Sequence, residues 1–471
     1  MSTLATDEFK GDSMRTEDLT VAGTPPANAL GRHSWALFDW AAQPFYTLVI
    51  TFIFAPYFAV TVVGDAVTGQ SYWGYGQAVA GVTIALLSPV FGAMADAGGP
   101  RKPWIGAFVL PCVVGSYLLW WAVPGMSGAG LAGILAMIVL ATIGIEFAGV
   151  FNNAMLPGLV REDRIGRLSG FAWGLGYVGG LIALFIVLLG FTLPAEPLFG
   201  IDKATHEHDR LVGPLSALWL ALFCLPLFFF TPDGPAAGIT RMEAARRGLR
   251  QLKGTLGRLG QHGNTLRFLL ARMIYNDAIA AVIGFSGIYA KGLFGWSTTD
   301  LGVFAIIITV IAAIGAFLGG WLDDRIGSHR TIVWMVGCLT LGTLGIVSVG
   351  ADSAFFLLSF GPSPADSGFM TTPAQWVFLA FGLLVGFGFG PAQAASRTMM
   401  ARLAPPQMMT EFFGLYALSG KATAFLAPLT IAIVTDAADS QRAGLAVIIV
   451  FFVVGLALFL PVREERTQVT D

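Results

Sequence analysis

Charge is what this sequence has least of. Only 12% of its 471 residues are Asp, Glu, Lys or Arg, while 55% are hydrophobic. A water-soluble domain carries about 25% charged residues. Half that density in so long a chain excludes a soluble globular protein and leaves an integral membrane protein. Excess charge of one sign is missing too. The 27 basic and 29 acidic residues give a net charge of −2, so no basic field draws nucleic acid. Cysteine is scarce: Cys112, Cys224 and Cys338 each sit inside an apolar run and read as small hydrophobes, which excludes a disulfide framework or a thiolate metal site. No nucleophile elbow and no phosphate-binding glycine loop occurs. The Gly-Phe-Gly-Phe-Gly run at 386–390 lies within an apolar stretch and cannot cradle a nucleotide. An enzyme, an ATP-driven pump and a bound cofactor are therefore not expected. His206-Glu207-His208-Asp209 holds side chains that bind zinc, but in a loop between apolar runs it reads as solvated, and no metal is expected there.

What is there is a series of twelve apolar runs, at 35–63, 73–95, 104–123, 129–155, 168–191, 212–230, 266–290, 300–322, 331–349, 374–400, 411–434 and 443–461. They are continuous over about 20 residues rather than alternating, which predicts membrane helices and excludes a barrel. The basic residues set the orientation. Lys203, Arg210, Lys291 and Arg442 fall in loops on one side, and Arg272 and Lys421 lie within runs. The other twenty-one fall in tails and loops on the opposite side, which is therefore cytoplasmic, with both termini. The expected layout is a polar, disordered cytoplasmic tail (1–32), a first six-helix bundle (33–231), a cytoplasmic linker (232–264), a second bundle (265–463) and a short tail (464–471). In the linker Met242, Ala245, Leu249, Leu252, Leu256 and Leu259 recur at helical spacing among Arg241, Arg247, Arg250, Lys253 and Arg258. That is a basic amphipathic helix suited to the headgroup layer.

The halves repeat each other. Gly92, Asp96, Gly99 and Lys102 recur as Gly320, Asp324, Gly327 and Arg330, each 228 residues on, with Arg101 and Arg325 adding charge. Glycine lets the chain reverse tightly, aspartate accepts from a helix terminus or an arginine, and the cations hold the turn on the cytoplasmic side. Phe38-Asp39 in the first run matches Asn276-Asp277 in the seventh, and Asn152 with Arg161 is echoed by Gln393 with Arg402. Duplicated halves are the architecture of secondary transporters, with the solute site between them. The paired loop segments resemble the signature of the major facilitator superfamily. Trp35-Ala-Leu-Phe-Asp39-Trp40-Ala, Phe151-Asn152-Asn153-Ala-Met-Leu156-Pro157, and Gln393 through Phe412-Phe413-Gly414-Leu415-Tyr416 to Lys421 are similar to its autophagy-related vacuole-effluxer-like branch. The resemblance covers about 33–463. It implies twelve helices in two pseudo-symmetric six-helix bundles, alternating access, a first and seventh span lining the central cavity, and amino-acid efflux as the activity of fungal members. The first loop departs from the superfamily pattern, with Ala97 where arginine is usual and Pro100 before the cations.

A charged residue in a membrane span costs about 3 kcal/mol at the helix centre, so each needs a reason. Asp39 and Gln43 share a face of the first span, with Asp39 near its inner end. Glu146 and Asn153 share a face of the fourth, and Asn152 is one position round. A carboxylate at Glu146 can hold a solute amine or a proton. Asp277 lies about eleven residues into the seventh span beside Asn276, and Arg272 five residues earlier reads as snorkelling from the inner end. Lys421, midway along the eleventh span, should pair with a carboxylate, Asp277 the nearest guess and Glu146 the alternative, or meet an anionic solute. Gln393 and Arg397 share a face of the tenth span. Small-residue pairs such as Gly176/Gly180 and Gly315/Gly319 allow close packing, which the family places between the halves. The expected solute and ion pathway is Asp39, Gln43, Glu146, Asn152, Asn153, Asn276, Asp277, Gln393 and Lys421. The gating loops carry Asp96, Arg101, Lys102, Asp324, Arg325 and Arg330. A monomeric carrier of a small solute in the bacterial inner membrane, coupled to protons, is the expectation. A receptor that binds without moving its ligand is the rival. Trp40, Tyr46, Trp173, Tyr275 and Tyr416 offer rings on which sugars or peptides could stack.

Overall fold

The computed structural model describes residues 19–20, 24–96, 100–161, 165–234, 243, 246, 250, 263–361, 368–403, 415–416 and 418–463. They form α1 (Ala29–Val62), α2 (Ala66–Asp96), α3 (Lys102–Leu118), α4 (Gly128–Met155), α5 (Ile165–Val187) and α6 (Val212–Phe230). The series continues with α7 (Gly263–Phe294), α8 (Thr298–Ile326), α9 (Ser328–Ser348), α10 (Pro373–Leu403), α11 (Leu426–Ala438) and α12 (Gln441–Phe459). A small hairpin, β1 (Ser353–Ala354) with β2 (Leu358–Ser359), joins α9 to α10. Among the described residues ten helices are long and apolar enough to cross a membrane. The remaining two expected spans fall on α2 and on α11, and the first part of the latter run lies outside the described residues.

The packing repeats at an interval of six helices. In the first half α1 packs on α6, α2 on α4, and α3 on both α4 and α6. In the second half α7 packs on α12, α8 on α10, and α9 on both α10 and α12. The halves meet along α2 against α11 and along the middle of α1 against α7. This is the pseudo-symmetric fold that the paired sequence segments imply.

Local chemistry explains the irregularities that shape the centre. Asn28 caps α1, its side chain accepting from the Gly31 N–H at 2.8 Å. Pro44 has no N–H for the carbonyl four residues back, and that carbonyl, on Trp40, accepts instead from the Trp219 indole at 3.1 Å. Beyond Pro44 the chain rewinds as a π-helix over Phe45–Phe52 and breaks at Ile53, so α1 is discontinuous in its second half. The eleventh span is broken as well. Residues 420–425 form turns held by short-range bonds such as Ala422 N–H to Leu418 O at 2.9 Å, and only at Leu426 does α11 begin.

Two expectations about segments need correcting. The polar tail is not disordered up to residue 32. Thr20 is buried, the Ala27 N–H donates to Leu159 O at 2.9 Å, and α1 starts at Ala29. Backbone groups that find partners on the 156–160 segment override a polar composition. The glycine pairs Gly176/Gly180 of α5 and Gly315/Gly319 of α8 pack within the halves, not between them. A Cβ on Gly179 would meet Trp40 at 3.0 Å, and one on Gly180 would meet Thr47 and Gln43, all on α1, while Gly315 and Gly319 lie on Phe387 and Pro391 of α10. Small-residue spacing marks a close approach without naming its partner. Glycines against the opposite half include Gly74 and Gly81 of α2, on Ala432 and Phe425, Gly287 of α7, on the Thr51 carbonyl, and Gly302 of α8, on Leu188. The basic linker helix lies almost wholly outside the described residues.

Candidate functional site

Between the halves lies a cavity of about 700 Å³, lined from α1, α2, α4 and α5 on one side and α7, α8, α10 and the broken eleventh span on the other. Its polar wall brings together most of the residues singled out by charge and spacing: Asp39, Gln43, Glu146, Asn153, Asn276, Gln393 and Lys421. The cavity reaches along α1 from Phe38 to Phe52, so it extends from mid-membrane toward the end of the bundle that carries the chain's N-terminus.

One contact spans the crevice. The Lys421 ammonium donates to Glu146 Oε2, and Glu146 Oε1 accepts from the Tyr46 hydroxyl at 3.0 Å. Lys421 stands on the turn that interrupts the eleventh span, while Glu146 and Tyr46 come from α4 and α1. The pair therefore ties second half to first. Its side chains are 32% and 25% exposed, open to the cavity rather than sealed from it. The first-choice partner, Asp277, is thus wrong for Lys421. The break at 420–425 turns the lysine across the crevice instead of back onto its own half. Elsewhere on the wall Gln393 Nε2 donates to Asn276 Oδ1 at 2.8 Å, and Gln43 Nε2 donates to Thr47 Oγ1 at 3.3 Å. Asp39 faces the cavity without a hydrogen bond or ion pair to the described residues.

Other expected residues fall elsewhere. Asn152 is buried behind the wall, its carbonyl accepting from the Trp35 indole at 2.8 Å. Its neighbour Asn153 takes the cavity-facing position, because the α-helix turns 100° per residue. Asp277 is buried and does not line the cavity. Arg272 does not snorkel. It is buried, donates to Tyr416 O at 2.8 Å and Ser419 Oγ at 2.9 Å, and lies 3.6 Å from the centre of the Tyr416 ring. The planar fork suits two acceptors and a ring face at once. Arg272→Lys should therefore lower stability by about 1–3 kcal/mol, read as a lowered midpoint of thermal unfolding in detergent. An unchanged midpoint would show that the contacts are incidental. Of the rings considered for stacking, Tyr46 and Trp173 line the cavity, and Trp73 and Tyr177 join them. Trp40 stacks on Trp219, and Tyr275 shares a 2.7 Å hydrogen bond with Ser396.

The side chains of Asp96 and Asp324 lie outside what the structure describes. In the first turn the Arg101 and Lys102 backbone N–H groups donate to the Asp233 carboxylate at 2.8 and 3.0 Å, and Lys102 Nζ donates to Phe228 O at 2.9 Å. In the second, Arg325 is exposed and stacks on Trp321, and Arg330 is exposed. Sequence reasoning missed Asp323, which is buried, accepts from Ser328 Oγ at 2.6 Å and lies 3.6 Å from Arg402. Its signal was the doubled acid Asp323-Asp324, of which only the residue matching the first half was taken.

The opposite end of the crevice is shut by polar contacts between the halves. Gln70 Nε2 donates to Thr435 Oγ1 at 2.8 Å and to Gln441 O at 3.1 Å, and Gln441 Nε2 donates to Ala66 O at 2.9 Å. Ser71 Oγ reaches Ala432 O at 3.4 Å. The segment read as solvated takes part. Asp209 is buried, accepts from Thr298 at the start of α8, and pairs with His206 Nδ1 at 3.0 Å. No cluster suited to a metal ion occurs among the described residues. Gln70 and Gln441 escaped notice because both stand outside the apolar runs.

Comparison with known proteins agrees with this arrangement. The family described as vacuole effluxer Atg22 like matches residues 57–471. A relative from Bacillus subtilis (strain 168), named an uncharacterized MFS-type transporter YxiO, is 27% identical over 92% of this chain and 95% of its own. Autophagy-related protein 22-1 of Neosartorya fischeri is 24% identical over 64% of this chain, a match spanning about half (48%) of the fungal protein. Among solved structures, the nucleoside transporter NupG (TM-score 0.64, 11% identity, 91% of this chain and 98% of that one) and a D-xylose-proton symporter (TM-score 0.63, 14% identity, 93% and 99%) share the fold. The duplicated packing, the central crevice and the family match lead to one conclusion: the chain is a multi-pass membrane protein of the major facilitator fold and belongs to the vacuole effluxer Atg22-like family.

Proposed function

We propose that the chain is a secondary-active transporter that moves a small polar solute by alternating access, rocking 33–231 against 265–463. The observation that carries this reading is the Lys421–Glu146 pair, a cation and an anion from opposite halves meeting in a solvent-sized crevice. A solute bearing both charges can take the place of each partner, its carboxylate on Lys421 and its ammonium on Glu146, with Asn153, Asn276, Gln393, Gln43 and Asp39 around it. Amino acids are therefore the leading candidates, in the direction of efflux, and the vacuole-effluxer kinship supports them. Sugars or peptides are the second choice, favoured by Trp73, Trp173 and Tyr177 on the wall. The proposed setting is a bacterial inner membrane with both termini cytoplasmic, so that the closed end faces outward and the cavity inward. Asp96, Arg101, Lys102, Asp324, Arg325 and Arg330 are proposed to close the inward mouth, with a proton gradient as driving force. The working form is proposed to be a monomer.

A thermal-shift screen of amino acids, sugars and short peptides tests the reading, because a bound solute stabilises the fold by mass action. Hits are then assayed for flux in proteoliposomes. Flux of a zwitterionic hit that responds to an imposed pH gradient is expected. Binding without flux under any gradient would replace the transporter with a receptor.

A further inference from the structure

The hairpin that joins α9 to α10, at the closed end of the crevice, is apolar where a loop in water is polar. Phe355, Phe356, Leu357, Leu358 and Phe360 are all exposed, Leu357 at 89%. No charged residue occurs from Ser353 to Ala365. A contiguous exposed patch of this kind marks a membrane or partner site.

The backbone holds these side chains away from the protein. Phe355 and Phe356 take the left-handed conformation, φ 55° and 63°, which is unfavourable for a bulky residue. The turn is fixed there by hydrogen bonds. The Phe356 N–H donates to the carbonyl of Ser348, the last residue of α9, at 3.1 Å. The Leu357 N–H donates to Ala354 O at 3.3 Å, and the Phe360 N–H to Asp352 O at 2.8 Å. The small side chain of Ala354 is the buried one. Strain that turns large apolar groups outward points to something outside the protein that receives them.

Depth identifies what that is. The Phe355 ring stands edge-on to Phe381 of α10, 6.0 Å between centroids, and a Cβ on Gly345 of α9 would run into the same Phe381 ring. Phe381 lies five residues, about 8 Å, further along α10 than Trp376, which is exposed in the first turn. An exposed tryptophan at the end of a span marks the boundary of water and lipid. Beside Gly345, Leu344 is exposed, and with Leu341 and Trp334 it forms an outward stripe along α9. The hairpin therefore continues the surface that the spans present to acyl chains. It lies outside the cavity, which α10 lines with Gly382, Val385, Gly386 and Phe389 but not with Phe381. Its own backbone limits how deep it goes. The strands are two residues each, and their outward N–H and C=O groups need water or headgroups, which excludes the hydrocarbon centre.

We propose that the 353–360 hairpin is an interfacial anchor whose partner is phospholipid. Its five large side chains insert about 5–10 Å into the leaflet at the closed end of the crevice, where headgroups meet acyl chains. The anchor is joined to the contacts that shut this end. Arg442 Nη2 donates to Val349 O at the base of the hairpin at 2.9 Å, and its neighbour Gln441 donates to Ala66 O of α2. Lipid thereby holds the closed end of the second half at a fixed depth beside its seam with the first. None of this depends on a solute or on transport.

The test uses the full-length chain with Cys338→Ser, whose remaining Cys112 and Cys224 are buried. A nitroxide is placed on Leu357→Cys in phosphatidylcholine nanodiscs. Power saturation then compares its collisions with oxygen, which gathers in lipid, and with a water-soluble nickel chelate. Leu344→Cys is the lipid-facing reference, and Ser127→Cys, exposed in the loop between α3 and α4 at the same end, is the aqueous one. The oxygen-to-nickel ratio at position 357 should exceed that at 127 by at least about threefold and approach that at 344. Phe356→Cys should behave alike, and it carries the same test if Leu357→Cys does not fold. A ratio equal to that at Ser127→Cys would put the hairpin in water and overturn the proposal. Protection from both reagents would also overturn it, by placing protein over the hairpin, a second copy of the chain if the particle mass corresponds to two.

Discussion

Lys421→Ala is expected to cut solute flux in proteoliposomes by roughly ten- to a hundredfold. A hydrogen bond to a charged group contributes about 1.5–3 kcal/mol, and each 1.4 kcal/mol is tenfold. The substitution removes the one cation on the described cavity wall and leaves Glu146 facing the crevice with only the Tyr46 hydroxyl. Glu146→Gln should impair flux comparably, because a zwitterion then loses its other anchor. Stability separates the roles. Breaking a fully buried pair costs about 3–5 kcal/mol, and partial exposure to the cavity reduces that to about 1–2 kcal/mol. The double variant Lys421→Ala/Glu146→Gln should unfold at a higher temperature than Lys421→Ala, since no lone charge is left, while remaining inactive. Wild-type flux in Lys421→Ala would remove the pair from the pathway.

The second large effect concerns closure. Gly287 of α7 lies where a Cβ would come within 2.5 Å of the Thr51 carbonyl and 3.1 Å of Pro56, both on α1. Backbone cannot yield as a long side chain does, and forcing extra atoms into such a contact costs about 1–3 kcal/mol. Gly287→Val should therefore disfavour the closed arrangement and populate one in which the Gln70–Thr435 contacts are parted. Maleimide labelling of Ser71→Cys should rise about fivefold or more in that background, the factor that about 1 kcal/mol supplies. Labelling at the parent rate would mean that the α1–α7 contact is not what holds this end shut.

The fold was legible because membrane helices announce themselves by composition, and because Gly92–Lys102 and Gly320–Arg330 repeat at one spacing. Asp39, Gln43, Glu146, Asn153, Asn276, Gln393 and Lys421 were legible as polar groups that lipid rejects. What spacing could not supply was direction. Lys421 was paired with Asp277 on the assumption of a continuous eleventh span; Gly420 and Pro428 flank the turn at 420–425 and mark a break, but they do not say which way it aims the lysine. Spacing placed Asn153 on the face of Glu146 with Asn152 one position round, and the structure turns Asn152 away from the cavity, its carbonyl accepting from the Trp35 indole. His206-Glu207-His208-Asp209 looked solvated because its partner, Thr298, comes from the other half, 89 residues on. Contacts between halves are the least visible in sequence, since neither half alone shows what it will meet.

The central claim is that the two halves move against each other around the crevice. Spin labels on Ser127→Cys and Ala437→Cys, exposed at the closed end on opposite halves, test it most directly in lipid nanodiscs, with Cys338→Ser as background. Pulsed distance measurements should give a short population matching this structure and a second, longer one. The balance between them should shift with pH and with a solute found by the stability screen. A single short distance, unmoved by pH, solute or Gly287→Val, would contradict the account.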